Sequence, residues 1–374
     1  MDIEEESDSN NSSSDSGSDS SGEEVVVPKK KPTTSTTSTT STTSTTSTTT
    51  TKKLKKDNDN DKDNRVIYYG EVKCMSTTKI CSNNAYFSVT GEKQPLYLCG
   101  VHSKSYKSRA KSLPKPTAAE KEKRLVEQMQ GEADKIEKAR LVNHGAKRPG
   151  NVVLSQLRMM KSPEQLDGYQ KVFPNFKHGG RKDGLGMPSL SPMSLGPVVH
   201  NQPNAPPSLN IENFHQGSKC FEQDFEAGPG KVVGDRYRKS RDQMFQDSEP
   251  HRHKYKDSNG KPKIPDCFIW YTPDGKEHRL GALECRQFYC NYYERLASQQ
   301  EDFKNLRELR NNGTNLQIIG YDARSIAPGD ESINLEYTNT KKPFGHELVL
   351  YTMLQMSDPS KYPWRSPKHK TFEF

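Results

Sequence analysis

Cys74, Cys81, Cys99 and His102 constrain what this chain can fold into more than any other group of residues. Their spacing, Cys-x6-Cys-x17-Cys-x2-His, puts one pair on an open loop. The other pair sits on a tight knuckle after Leu96-Tyr97-Leu98, where Gly100 allows the turn. A Cys-x-x-His knuckle lets two neighbouring side chains reach one ion, and three thiolates with one imidazole complete a tetrahedron. The stretch from residue 65 to 111 is too short to bury a self-sufficient core, so a metal would meet a structural need. The pattern predicts a small module stapled by one structural Zn2+, with ordinary buried thiols as the alternative.

The remainder divides by composition. Only 30% of the 374 residues are hydrophobic and 28% are charged, and the deficit in core formers lies in residues 1–64. That segment runs through acidic Ser-rich, Thr/Ser-repeat and Lys/Asp/Asn blocks, which predicts a disordered tail. Its first 24 residues hold nine carboxylates and no Lys or Arg, so the formal charge of +8 conceals +17 on the following 350. A body this basic favours anionic partners such as nucleic acid or an acidic protein surface. Lys104, Lys107, Arg109 and Lys111, with Tyr106 among them, follow His102 directly. They suit a phosphate backbone, or else form a solvated linker. With no long apolar run and no N-terminal hydrophobic region, neither membrane insertion nor secretion is expected, and the seven cysteines read as thiols and metal ligands.

Residues 112–145 read as a linker and a charged helix, opened by a capping box in which Thr117 stands three residues before Glu120. Residues 146–374 read as an α/β layer domain with long loops. Between 143 and 230 the chain is rich in Gly, Pro, Ser and Asn, with candidate strands at 152–154 and 196–199. Residues 231–262 are highly charged, which predicts an exposed insertion. Patterning then sharpens into a strand at 267–271, helices at 283–298 and 301–311, a buried strand at 315–320 and an apolar helix at 346–356.

Three segments carry groups capable of chemistry. The loop from Gly184 to Gly196 offers backbone amides and the hydroxyls of Ser191 and Ser194 to a phosphate. The polar run from Asn210 to Lys219, with Asn213 and His215, reads as a binding loop. Asp322 follows the strand at 315–320, and His346 and Glu347 open the last helix. Ligands of open α/β sheets lie beyond the carboxyl ends of the strands, so these three can meet one ligand. In the alternative, His346 packs its helix and Asp322 starts a turn. Arg286, Tyr289 and Tyr293 share a face of the 283–298 helix, and Arg286 is a candidate catalytic cation beside Asp322 and His346.

Cys-Gly-Val-His-Ser (99–103), Ser-Leu-Ser-Pro-Met-Ser-Leu-Gly-Pro (189–197), Asn-Phe-His-Gln-Gly-Ser-Lys (213–219), Asn-Leu-Gln-Ile-Ile-Gly-Tyr-Asp (315–322) and Pro-Phe-Gly-His-Glu-Leu-Val-Leu-Tyr (343–351) together resemble uncharacterised proteins of giant DNA viruses of the mimivirus type. That resemblance implies a virion or a viral factory in the host cytoplasm, with no activity to transfer. The C-terminal part also resembles a bacterial and phage domain family of unknown function, which ends in a strand, a polar loop and a His-bearing helix. That family has cysteines near the places of Tyr321 and Phe344, so thiol chemistry does not carry over. Two functions are therefore expected. The first is a non-enzymatic viral protein whose zinc module and basic surface bind nucleic acid or another anionic partner. The second is an enzyme cleaving a glycosidic bond in a nucleotide or nucleotide-sugar derivative.

Overall fold

A computed structural model describes residues 67–76, 81–89, 96–158, 162–228 and 231–368, and the predicted tail at 1–64 lies outside them. In chain order the elements are β1 (Phe87–Val89), β2 (Leu96–Leu98), β3 (Ala110–Ser112), α1 (Ala118–Gly145), β4 (Val152–Gln156), β5 (Tyr169–Phe173), β6 (Leu185–Gly186), α2 (Ile211–Gly217), β7 (Lys219–Cys220), α3 (Asp235–Gln246), β8 (Cys267–Tyr271), β9 (Glu277–Leu280), α4 (Ala282–Ala297), α5 (Glu301–Asn311), β10 (Asn315–Gly320), α6 (Asp330–Thr338) and α7 (His346–Gln355).

The N-terminal part of the described chain is an antiparallel sheet in the order β2-β1-β3, followed in space by a 3-10 helix at His102–Arg109. Its buried cluster is Cys74, Val89, Leu98 and Cys99, with Cys81, Leu96, Tyr106 and Ala110 packed against it, so three of the four candidate metal ligands belong to this small core. The helix α1 then carries the chain away. Its capping box is formed, with Thr117 Oγ1 accepting the Glu120 amide at 3.2 Å and Glu120 Oε2 accepting the Thr117 amide at 2.8 Å. Most of α1 faces solvent, and it is held at its two ends and by Glu132 and Lys135 in its middle, which pair with Lys171 at 3.5 Å and Asp167 at 2.8 Å. Near the start, Tyr68 donates its hydroxyl hydrogen to Glu120, and Arg124 pairs with Glu71 at 3.3 Å. Near the end, Asn143 donates to the Gly313 carbonyl at 2.8 Å and to Asn315 Oδ1 at 2.9 Å.

The main sheet is wholly parallel, in the order β4-β10-β5-β6. Strand β10, Asn-Leu-Gln-Ile-Ile-Gly, is buried along its entire length because strands flank it on both sides and helices cover both faces. Alternation of side chains shows which face meets what. Leu316 and Ile318 enter the large core with Leu348, Val349, Phe288 and Tyr293 from α7 and α4. Asn315 turns the other way to Asn143 of α1, and Gln317 to Ser155 Oγ at 2.8 Å. The predicted α/β character is borne out in this coarse sense.

Several elements differ from the sequence expectation. The stretch at 196–199 is no strand and makes one isolated bridge, Val198 with Ser208. Strands β5, β6 and β9 arise from segments with little hydrophobic patterning, because pairing with a buried neighbour supplies the stabilisation that propensity does not. The segment at 231–262, expected to be an exposed insertion, is exposed over much of its length and also contains α3. Its Tyr237, Arg241 and Phe245 are buried, and Phe245 packs at 5.3 Å centroid separation on Phe214 of α2. These three, spaced four residues apart among many charges, form the face by which the helix docks.

Candidate functional site

The four sequence-predicted metal ligands come together. Cys74 Sγ and Cys99 Sγ lie 3.3 and 3.4 Å from His102 Nδ1, Cys81 Sγ lies 3.9 Å from Cys99 Sγ, and all four donor atoms fall within 4.8 Å of one another. The cluster can hold a metal ion. The knuckle explains part of its chemistry. The His102 backbone amide is the largest influence on the Cys99 thiol, and with the Val101 amide it brings the thiol down to about 6 against the effect of burial. Thiolate is the form that binds metal. Beside the cluster, Lys104, Arg109 and Lys111 are exposed, and the Arg109 guanidinium stands 5.6 Å from the Tyr106 ring centroid. Lys107 belongs to the same 3-10 helix, and its side chain lies outside the described residues.

A second constellation forms beyond the carboxyl end of β10. The chain leaves the sheet through Gly320, Tyr321 and Asp322, and α7 begins against this turn with His346 and Glu347. Gly320 is required here. A Cβ on it would lie 1.9 Å from Glu347 Oε1, so the carboxyl group rests directly on the backbone. Burial pushes Glu347 up to about 8, the Asp322 charge adds to this, and backbone amides of Glu347, Asp322 and Tyr321 pull the other way. Its Oε2 is 3.2 Å from His346 Nδ1 and finds no hydrogen-bond partner among the described residues. Burial brings His346 down to about 4, leaving the ring neutral at pH 7. Asp322 faces solvent. A Cβ on Gly345 would stand 3.2 Å from both Asp322 Oδ2 and Glu347 Oε2, so the two carboxyl groups are separated by no more than twice that distance.

A third carboxyl group, which the sequence reading passed over, feels the charge of Asp322. Glu212 on α2 is half-buried, and desolvation pushes its pKa up, with a further contribution from Asp322. Gln216 Nε2 donates to Glu212 Oε1 at 2.9 Å. The charges of Lys219 and Arg252 act in the opposite direction. Tyr289 of α4, its phenol kept neutral by burial, senses both Glu212 and Glu347. Tyr293 packs on His346 at 6.2 Å. Helical geometry explains why Glu212 was missed. The run 210–219 looked like a loop, but as a helix it turns Asn213 and Phe214 inward and leaves Glu212 half-buried, within reach of the Asp322 charge.

Other candidates have structural roles. Arg286 is not part of the constellation. Its guanidinium donates to the carbonyls of Glu336, Tyr337, Asn339 and Lys342, clamping the end of α6, where carbonyls without helical partners collect. Asn213 is fully buried, with its amide given to Asp247 O and Glu249 O. His215 packs between Phe268 and Tyr289, and its Nδ1 lies 3.6 Å from Cys285 Sγ. The 184–196 loop uses several of its amides internally, Leu190 N on Met187 O and Leu195 N on Ser191 O among them. Pro192 O and Leu195 O accept the Glu212 and Ile211 amides, so this loop caps α2 and thereby sets Glu212. Ser191 Oγ accepts the Met193 amide at 3.3 Å, and exposed Ser194 gives its amide to Ser191 O at 2.9 Å.

No protein-family model, no curated protein and no solved structure matches this chain. The functional reading therefore rests on the site itself.

Proposed function

We propose that this chain is an enzyme that cleaves a glycosidic bond in a nucleotide or nucleotide-sugar derivative, with Glu212 as proton donor and Asp322 as its ionic partner. The observation that supports this is a carboxyl group biased toward its protonated form by burial that also feels the charge of a solvent-facing one, the latter just beyond the carboxyl end of β10. As the bond from the anomeric carbon breaks, its electron pair goes to the leaving atom and Glu212 supplies the proton. Asp322 stabilises the positive charge that develops on the sugar, then takes the proton of the water whose oxygen bonds to that carbon. Glu347 is a positioning residue, since it gathers the Tyr321 and Asp322 amides and so fixes the Asp322 carboxylate. In a panel of nucleotides and nucleotide sugars resolved by chromatography, Glu212→Gln and Asp322→Asn should each lower turnover by at least about 100-fold. A panel without any turnover, or full activity in Glu212→Gln, removes this reading.

The ion at the Cys/His cluster is read as zinc in a structural role. Zn–S bonds of about 2.3 Å and Zn–N bonds of about 2.0 Å give tetrahedral edges of about 3.8 Å for S–S and about 3.5 Å for S–N. The separations of 3.9, 3.3 and 3.4 Å follow that pattern. All four positions are filled by protein, so the ion keeps no open site for chemistry.

The exposed cations beside this cluster favour a second reading, in which the same surface binds nucleic acid or an acidic protein in a virion or viral factory. Binding of duplex DNA should weaken steeply between low and physiological salt, and replacing Lys104, Arg109 and Lys111 by Ser should flatten that dependence. Absence of binding at low salt would sink it.

A further inference from the structure

The segment after α3 is tied to α2 by one side chain. Asn213 Nδ2 donates to Asp247 O at 3.0 Å and Glu249 O at 2.8 Å, while its Oδ1 accepts the His251 amide at 2.7 Å. His251 Nε2 closes the loop on itself, 2.6 Å from Asp247 Oδ2. A fully buried amide using three of its hydrogen-bonding positions on one strap holds that strap in a single course. The residue immediately after the anchored stretch is Arg252.

Arg252 reaches the turn after β10. Its guanidinium stands 5.9 Å from the centroid of the Tyr321 ring, and its charge acts on Glu212. The side chain is exposed and makes no salt bridge to a carboxylate among the described residues. The other cation near Glu212, Lys219, is turned to Gln216 Oε1 at 2.8 Å. Tyr321 is 41% exposed, so part of its ring remains open beside the guanidinium.

We infer that Arg252 is a specificity residue of this site, taking a phosphate group of the ligand while Tyr321 offers its ring to the base or sugar. The inference rests on reading Glu212 and Asp322 as a nucleotide site, and it names what that site selects. Carboxylates at the mouth repel an anionic ligand, so a phosphorylated one is admitted only where a fixed cation offsets them. A guanidinium matches phosphate geometry with two parallel donors, which an ammonium group does not. Anchoring the strap through Asn213 removes much of the ordering cost that a loose arginine would meet on binding.

AMP and adenosine differ only by the phosphate, and calorimetric titration of the full chain with each reads the selection directly. Wild type should bind AMP about tenfold or more tightly than adenosine, and in Arg252→Gln this ratio should fall close to one. Arg252→Lys should restore only part of it. Asn213→Ser, which frees the strap, should lower the ratio too, and if that variant does not fold the arginine variants still decide. A ratio unchanged in Arg252→Gln, or no AMP binding at millimolar concentration, overturns the inference. AMP bound through Arg252, with no turnover anywhere in the nucleotide and nucleotide-sugar panel, would sink the hydrolytic reading alone. Hydrolysis of AMP with kcat/KM unchanged in Arg252→Gln would sink the specificity role alone.

Discussion

With the structural zinc proposed above at Cys74, Cys81, Cys99 and His102, a strong chelator at neutral pH is expected to unfold β1–β3 and the 102–109 helix while leaving the parallel sheet intact. Metal binding in small structural zinc sites is worth roughly 10–16 kcal/mol at pH 7, more than the whole stability of most domains. The apolar core here is small, and two of its four buried residues are cysteines of the cluster. The body does not share this dependence, because its core draws on β4, β5, β10, α4 and α7. Tyr68, Glu71, Glu120 and Arg124 link the module to the near end of α1, away from the sheet contacts of Asn143. Hydrogen exchange should therefore show protection lost across residues 67–112 and kept in β10. Cys99→Ser should reproduce the effect without a chelator. Full protection in metal-free protein would refute the structural role of the ion.

Glu347 carries the second large effect. Replacing it with Ala leaves the Tyr321 and Asp322 amides without their acceptor and opens a cavity, at a cost of about 3–5 kcal/mol. Replacing it with Gln keeps the shape and removes only the ionisation. The folded value of about 8 lies above the ordinary 4.5, so the folded chain retains a proton that the unfolded chain releases. Stability from this group is complete below pH 4.5 and is lost as pH rises toward 8. His346 acts in the opposite sense, because its value falls from 6.5 to about 4, so the fold gains stability as pH rises through that interval. From pH 6.5 to 8 the Glu347 contribution stands clear of the histidine, and wild type should lose about 2 kcal/mol that Glu347→Gln keeps. Urea denaturation at the two pH values measures it. Parallel losses in both proteins would contradict a proton held on Glu347.

If the catalytic reading is right, the same ionisation should influence turnover. A charged Glu347 beneath Asp322 adds a second negative charge within a short distance of the first and disturbs the amides that fix the loop. Loss of activity above pH 8 in wild type, reduced in Glu347→Gln, separates this positioning role from a direct chemical one.

Local patterns determined much of the molecule. Ligand spacing announced the Cys/His cluster, since a Cys-x-x-His knuckle is a short-range geometric device that needs little else from the fold. Thr117 and Glu120 announced the start of α1, and the apolar run 316–319 announced a buried strand, each through contacts between near neighbours or through simple burial. Asp322, His346 and Glu347 were legible as one group because a strand end and a helix start were both readable. Tertiary structure decided what no local pattern encodes. Glu212 comes within reach of the Asp322 charge, and Arg252 of the Tyr321 ring, across long stretches of chain, and Arg286, on a face that looked promising, is drawn off by the bare carbonyls at the end of α6. Asn213, which looked like a ligand contact, is committed to the strap that carries Arg252. The physical reason is common to all of these. Spacing along an element fixes which side chains share a face, but only packing fixes what that face meets, and the unsatisfied backbone groups it meets determine where each polar side chain goes.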